Sequence, residues 1–204
     1  MDEIVLKAHS TLTRCVFIFH GYGADNNDLR PVGEEFAKAL PGAEIHLPNG
    51  IESCDDGFGR QWFSLKNNDI KIWEQAFEKN TPPIVSHIEA VISQKNLEYK
   101  NVIFAGFSQG AMLSLSLGLK YEVEAVIAFS GLLLSPNECV HRKNTKILLT
   151  HGGEDTVIPI SAMTLTQEAL MGVGIDVKTA ISPKLSHGID NYLLGQAIDF
   201  LKML

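Results

Sequence analysis

Short apolar runs alternate with segments of helical spacing along nearly the whole chain. That alternation restricts the fold to a mostly parallel sheet with helices on both faces, an α/β doubly wound architecture. Residues 15–20 read C-V-F-I-F-H, almost continuously apolar, as a strand buried on both faces must be. Residues 28–40 follow with Leu29, Val32, Phe36, Ala39 and Leu40 at helical spacing. The same reading predicts strands over residues 43–47, 102–105, 125–129, 147–150 and 177–181. It predicts helices over residues 82–95, 111–120, 161–171 and 191–202. Pro82 and Pro83 are expected at the start of the first of these helices, where their missing N–H groups cost nothing. Residues 51–80 show weak periodicity and are expected to form mainly a long functional loop, with a helical turn near Trp73. No linker, repeat or low-complexity stretch divides the chain, so residues 1–204 are expected to form one domain. In such sheets, ligands bind outside the C-terminal ends of the strands.

One motif sits at such an end. Gly106-Phe107-Ser108-Gln109-Gly110 matches G-x-S-x-G, directly after the strand V-I-F-A and directly before the helical run A-M-L-S-L-S-L. A sharp strand-to-helix turn exposes the serine hydroxyl, and its flanking glycines avoid clashes in the tight turn. Ser108 is thereby a candidate nucleophile. The N–H of Gln109, at a helix N-terminus, is a candidate donor to a developing oxyanion. The alternative for the same motif is an ordinary glycine-rich turn cradling a phosphate.

A serine hydroxyl needs a base, and histidine has the suitable pKa. In strand–elbow–helix enzymes the partners follow in the order serine, acid, histidine. Residues 147–150 lead into His151-Gly152-Gly153-Glu154-Asp155, and the last strand is followed by His187-Gly188. Asp155 is the preferred orienting acid, with Glu154 its rival, and His187 the preferred base. His20, His46 and His151 are read as structural strand-end histidines. No H-E-x-x-H or similar spacing marks a metal site.

The first buried strand ends in H-G-Y-G-A-D, a turn that commonly supplies the second oxyanion donor, here the N–H of Tyr22. In the long loop, Trp62 and Phe63 either line an acyl pocket or anchor the loop to the core. Leu65, Ile158 and Ile160 are further candidates for the pocket wall.

Composition excludes several other classes. The formal charge of −7 and the scattered lysines and arginines argue against a nucleic-acid partner. No stretch is apolar for the ~20 residues a membrane-spanning helix needs. The acidic start Met1-Asp2-Glu3 does not resemble a signal peptide. Cys15, Cys54 and Cys139 are odd in number, widely spaced and read as reduced thiols, so a cytoplasmic location is expected.

Six segments together carry a resemblance. They are H-G-Y-G-A-D at His20, G-R-Q-W-F at Gly59, G-F-S-Q-G-A-M at Gly106, F-S-G at Phe129, H-G-G-E-D-T-V-I-P at His151 and H-G-I at His187. In this order, and over nearly the whole chain, they resemble the phospholipase/carboxylesterase family of α/β-hydrolases, which includes the acyl-protein thioesterases. The G-R-Q-W-F and H-G-I forms look more like its bacterial carboxylesterase branch. The resemblance implies an α/β-hydrolase fold, a Ser108–Asp155–His187 triad with Tyr22 and Gln109 at the oxyanion positions, and no cofactor or metal. It implies small-molecule or lipid-like acyl esters, or acylated proteins, as substrates, and a homodimer as one assembly found in the family. Two rivals are another α/β-hydrolase chemistry, such as lactone hydrolysis, and a non-catalytic ligand-binding scaffold. Dienelactone hydrolases carry cysteine where Ser108 stands.

Overall fold

The computed structural model describes residues 1–135 and 144–204; Cys139 lies outside the described residues. In chain order the elements are β1 (Glu3–Leu6), β2 (Arg14–Phe19), α1 (Arg30–Ala39), β3 (Ala43–Pro48), β4 (Glu52–Ser53) and β5 (Arg60–Gln61). They continue with α2 (Ile70–Gln94), β6 (Val102–Phe107), α3 (Gln109–Tyr121), β7 (Ala125–Phe129), β8 (Lys146–Gly152), α4 (Ile160–Gly172), β9 (Val177–Ser182) and α5 (Asn191–Leu201). Seven strands form one sheet in the order β1-β3-β2-β6-β7-β8-β9. Strand β1 runs antiparallel to β3, and every other neighbouring pair is parallel. The short β4 and β5 pair separately.

Alternation along the central strands explains why they read as continuous apolar runs. Cys15, Phe17 and Phe19 of β2 pack into the layer under α2, α3 and α4, while Val16 and Ile18 pack into the layer under α1 and α5. Strand β6 divides the same way, with Val102 and Phe104 on one side and Ile103 and Ala105 on the other.

Besides the two-residue strands β4 and β5 inside the expected loop, two elements differ from the sequence expectation. Strand β1 was not predicted. Its four residues are all only partly buried, so the apolar signal is diluted. Helix α2 starts at Ile70, not at the prolines, and carries Pro82 and Pro83 inside it. Asp69 caps its start by accepting from the Lys71 N–H. The carbonyls that the two prolines leave unpaired belong to Glu78 and Lys79, both exposed, so water can serve them. Thr81 Oγ1 donates to the Phe77 carbonyl at 2.6 Å, and buried Ile84, Val85 and Ile88 hold the second half of the helix on the sheet. The expected loop over residues 51–80 is therefore shorter, and its last third is helix.

At the outer sheet edge the Glu3 carboxylate lies 3.1 Å from His46 Nδ1 and 3.1 Å from His87 Nε2. Burial pushes this carboxyl up, but its hydrogen bonds to the two imidazoles outweigh that and hold it at about 2. A depressed carboxylate pKa adds stability that is complete above the unfolded value of ~4.3 and is lost as pH falls toward the folded one. The wild-type urea midpoint is thus expected to fall more steeply between about pH 5 and about pH 3 than that of Glu3→Gln. Parallel curves would show that Glu3 contributes no such dependence.

Candidate active site

Four parallel strands deliver the candidate residues to one sheet edge. Tyr22 follows β2, Ser108 follows β6, Asp155 follows β8 and His187 follows β9. Ser108 occupies the turn itself, with φ 53° and ψ −115°, a strained region for a residue with a side chain. The strain is held from both sides. Its N–H donates to the Phe129 carbonyl at 2.9 Å, and its carbonyl accepts from Ala111 and Met112 in the first turn of α3. The two motif glycines are sterically required: a Cβ on Gly106 would lie 2.2 Å from the Gly110 carbonyl oxygen, and one on Gly110 would lie 1.9 Å from that of Phe19. Among the described residues, neither the Gln109 N–H nor the Tyr22 N–H donates a hydrogen bond.

His187 Nδ1 donates to Asp155 Oδ2 at 2.7 Å. A carboxylate only accepts, so the neutral ring carries its proton on Nδ1 and leaves Nε2 free as a base. The other oxygen, Oδ1, accepts the N–H groups of Val157 and Ile158, each at 2.9 Å. Burial pushes the Asp155 carboxyl up, but the His187 and backbone hydrogen bonds prevail and hold it below its ordinary value. Its rival Glu154 is exposed and Asp155 buried, so only Asp155 faces the imidazole. His151 braces the same loop, with Nε2 donating to the Ile158 carbonyl at 2.7 Å. His20 is committed as well: Nδ1 donates to the Gly21 carbonyl and Nε2 accepts from the Gly50 N–H.

Ser108 and His187 border one cavity of about 670 Å³. Leu65, Trp73, Met112, Leu132, Ile158 and Ala162 give it a mainly apolar wall. Among the described residues no hydrogen bond joins Ser108 to His187, which is common for catalytic pairs before substrate tightens the site. Leu65 and Ile158 border this cavity, and Ile160, the third expected wall residue, does not.

Trp62 and Phe63 do not, which corrects their assignment as substrate-binding residues. Both side chains are fully buried behind the site. Trp62 stands edge-on to Phe19 and donates from Nε1 to the His20 carbonyl at 2.9 Å, while Phe63 stands edge-on to Phe77. The Gln109 side chain holds their backbone, accepting from the Trp62 N–H at 2.9 Å and donating to the Phe63 carbonyl at 2.6 Å. Sequence reasoning missed Met112 and Trp73 as wall residues. Met112 was findable, because it lies one helical turn beyond Ser108 and so shares its face.

A serine at a strained strand–helix turn, beside a histidine tied to a buried aspartate on a mostly parallel sheet, defines the α/β-hydrolase class. Comparison with known proteins agrees. The sequence model of the family described as phospholipase/carboxylesterase matches residues 1–204, and the chain belongs to that family. Esterase YpfH of Escherichia coli (strain K12) is 32% identical over 202 residues, covering 98% of this chain and 86% of the relative. Acyl-protein thioesterase 1 of Gibberella zeae is 23% identical over 222 residues, covering 98% and 94%. Among solved structures, esterase PE8 superposes with a TM-score of 0.90 at 31% identity, covering 98% of this chain and 97% of that one. The chain is therefore a carboxylic ester hydrolase of the esterase/thioesterase type. Among the described residues no helix is long and apolar enough to cross a membrane.

Proposed function

We propose that the chain hydrolyses carboxylic esters or thioesters through a Ser108–His187–Asp155 triad and a covalent acyl-enzyme. The observation that supports this best is that Ser108 and His187 border one apolar cavity while His187 Nδ1 is tied to Asp155 at 2.7 Å. In this reading His187 Nε2 takes the Ser108 proton as Oγ bonds to the acyl carbon. The resulting oxyanion lies between the N–H groups of Tyr22 and Gln109, which have no competing acceptor among the described residues. The C–O or C–S bond then breaks, and the proton on Nε2 passes to the departing alkoxide or thiolate. Water adds to the acyl-enzyme with His187 as base, and the acid leaves as Ser108 regains its proton.

The apolar wall suits the acyl chain of a small-molecule or lipid-like ester, and an acylated protein could present the same chain. The mapping of residues from the family onto Tyr22, Ser108, Gln109, Asp155 and His187 is part of the proposal. So is a cytoplasmic site of action.

Two measurements test the reading together. A fluorophosphonate probe is expected to label the wild type and not Ser108→Ala. Hydrolysis of p-nitrophenyl esters of graded chain length is expected to peak at the length that fills the acyl cavity. Labelling that survives in Ser108→Ala would reject the nucleophile, and a folded wild type inert toward esters and thioesters alike would reject the proposal.

A further inference from the structure

A second cavity of about 420 Å³ lies against the first and shares three residues with it: Asp28, Phe107 and His187. Ser108 borders only the larger one. The smaller is walled by Pro31 and Val32 on the α1 side, by Ile189, Asn191 and Leu194 around the start of α5, and by Asp28 and Asp190. Phe107 and His187 stand where the two cavities meet, with ring centroids 4.7 Å apart.

Resting on the reading above, we propose that the smaller cavity is the leaving-group subsite and that Asp28 makes it select cationic or neutral alcohols and thiols over anionic ones. The chemistry divides an ester between the two spaces. The acyl chain belongs with the larger, apolar cavity beside Ser108. The departing oxygen or sulfur must lie within hydrogen-bond reach of His187, because that imidazole returns the proton to it. The group attached to that atom therefore continues past His187, where the smaller cavity lies.

The charges there are both negative but differ in freedom. Asp190 caps α5, accepting from the Leu193 N–H at 2.8 Å and from Ser182 Oγ at 2.5 Å, so its oxygens are committed. Asp28 is exposed, borders both cavities and forms no ion pair among the described residues. Its near neighbour Arg30 is paired with Glu34 at 3.0 Å. Among the described residues no lysine or arginine lines either cavity, so within a chain of net charge −7 a substrate anion approaching this end meets repulsion.

Butyrate esters that differ only in the leaving alcohol test this. The alcohols are choline, its uncharged isostere 3,3-dimethylbutanol, and anionic 2-sulfoethanol, each rate divided by that of hydroxide-catalysed hydrolysis. At low ionic strength kcat/KM is expected to fall in that order, with a choline-to-sulfoethyl ratio of about tenfold or more that shrinks as salt is added. Asp28→Asn is expected to reduce the ratio about fivefold or more, and Asp28→Lys to invert it. Asn191→Trp, which narrows the cavity with no change of charge, is expected to slow the dimethylbutyl ester about tenfold more than methyl butyrate. An unchanged ratio in Asp28→Asn, or equal slowing of large and small leaving groups by Asn191→Trp, overturns the subsite. Ser108-dependent turnover of all three esters without discrimination overturns it alone. A wild type that hydrolyses no ester overturns the triad reading and the subsite together.

Discussion

Ser108→Ala, His187→Ala and the variant carrying both are expected to lower kcat on a p-nitrophenyl ester by about the same factor, ~10⁴ to 10⁶. A hydroxyl without a base and a base without a hydroxyl are equally idle, so the second substitution has little left to remove. The residue of activity would come from binding and from the two main-chain donors, Tyr22 and Gln109, which neither substitution touches. Asp155→Asn carries its own expectation. Because Oδ1 accepts two backbone N–H groups, the carbonyl of the new amide is held there. Its NH₂ then faces His187 Nδ1, which must turn acceptor and move the ring proton to Nε2. That is the wrong tautomer for a base, and a loss of about 10⁴ follows. Steady-state kinetics on the four variants decide the matter. Losses that multiply in the double variant would mean that Ser108 and His187 do not act as a unit.

Gly110→Ala is expected to abolish folding, or to cost more than ~4 kcal/mol of stability. The added methyl would lie 1.9 Å from the Phe19 carbonyl oxygen and 2.6 Å from that of His20. Neither can yield cheaply, because Phe19 ends β2 in the middle of the sheet and His20 is bonded to Gly50. A glycine in open space provides the contrast. A Cβ on Gly195, inside α5, meets nothing within 4 Å, so Gly195→Ala is expected to stabilise by up to ~1 kcal/mol. Urea unfolding of the two purified proteins measures both, and a Gly110→Ala protein as stable as the wild type would contradict the tight packing of α3 on β2.

The layered sheet was legible because residues such as Val16 and Phe17 both face a core, a demand that only a doubly covered strand makes. Chain order then brings Ser108, Asp155 and His187 to one edge, since parallel strands all end on the same side. The less legible parts lie where local signals compete. Strand β1 is only four residues long, opens on Glu3 and is nowhere fully buried, so its signal is weak, although Glu3 meets His46 across the pair. Pro82 and Pro83 read as a helix start, because tertiary packing of Ile84 and Ile88, invisible in local sequence, carries the helix through them. Trp62 and Phe63 announce burial by their size, but sequence does not say on which side of a loop the burial lies. The smaller cavity is formed by Asp28, His187 and Leu194, which lie too far apart in sequence to form a motif.

Gln109 ties two tasks to one residue. Its main chain follows directly on Ser108, the proposed nucleophile, while its side-chain amide grips the backbone at Trp62 and Phe63. The segment up to Phe63 is thereby a fixed post, and the cavity wall on this stretch begins beyond it, at Leu65 and Trp73. On the proposed reading, substitutions in that outer stretch are expected to change chain-length preference with the elbow left undisturbed. The same freedom does not extend inward by even two residues, because a change at Phe63 or Trp62 disturbs the Gln109 side chain and with it the turn that holds Ser108.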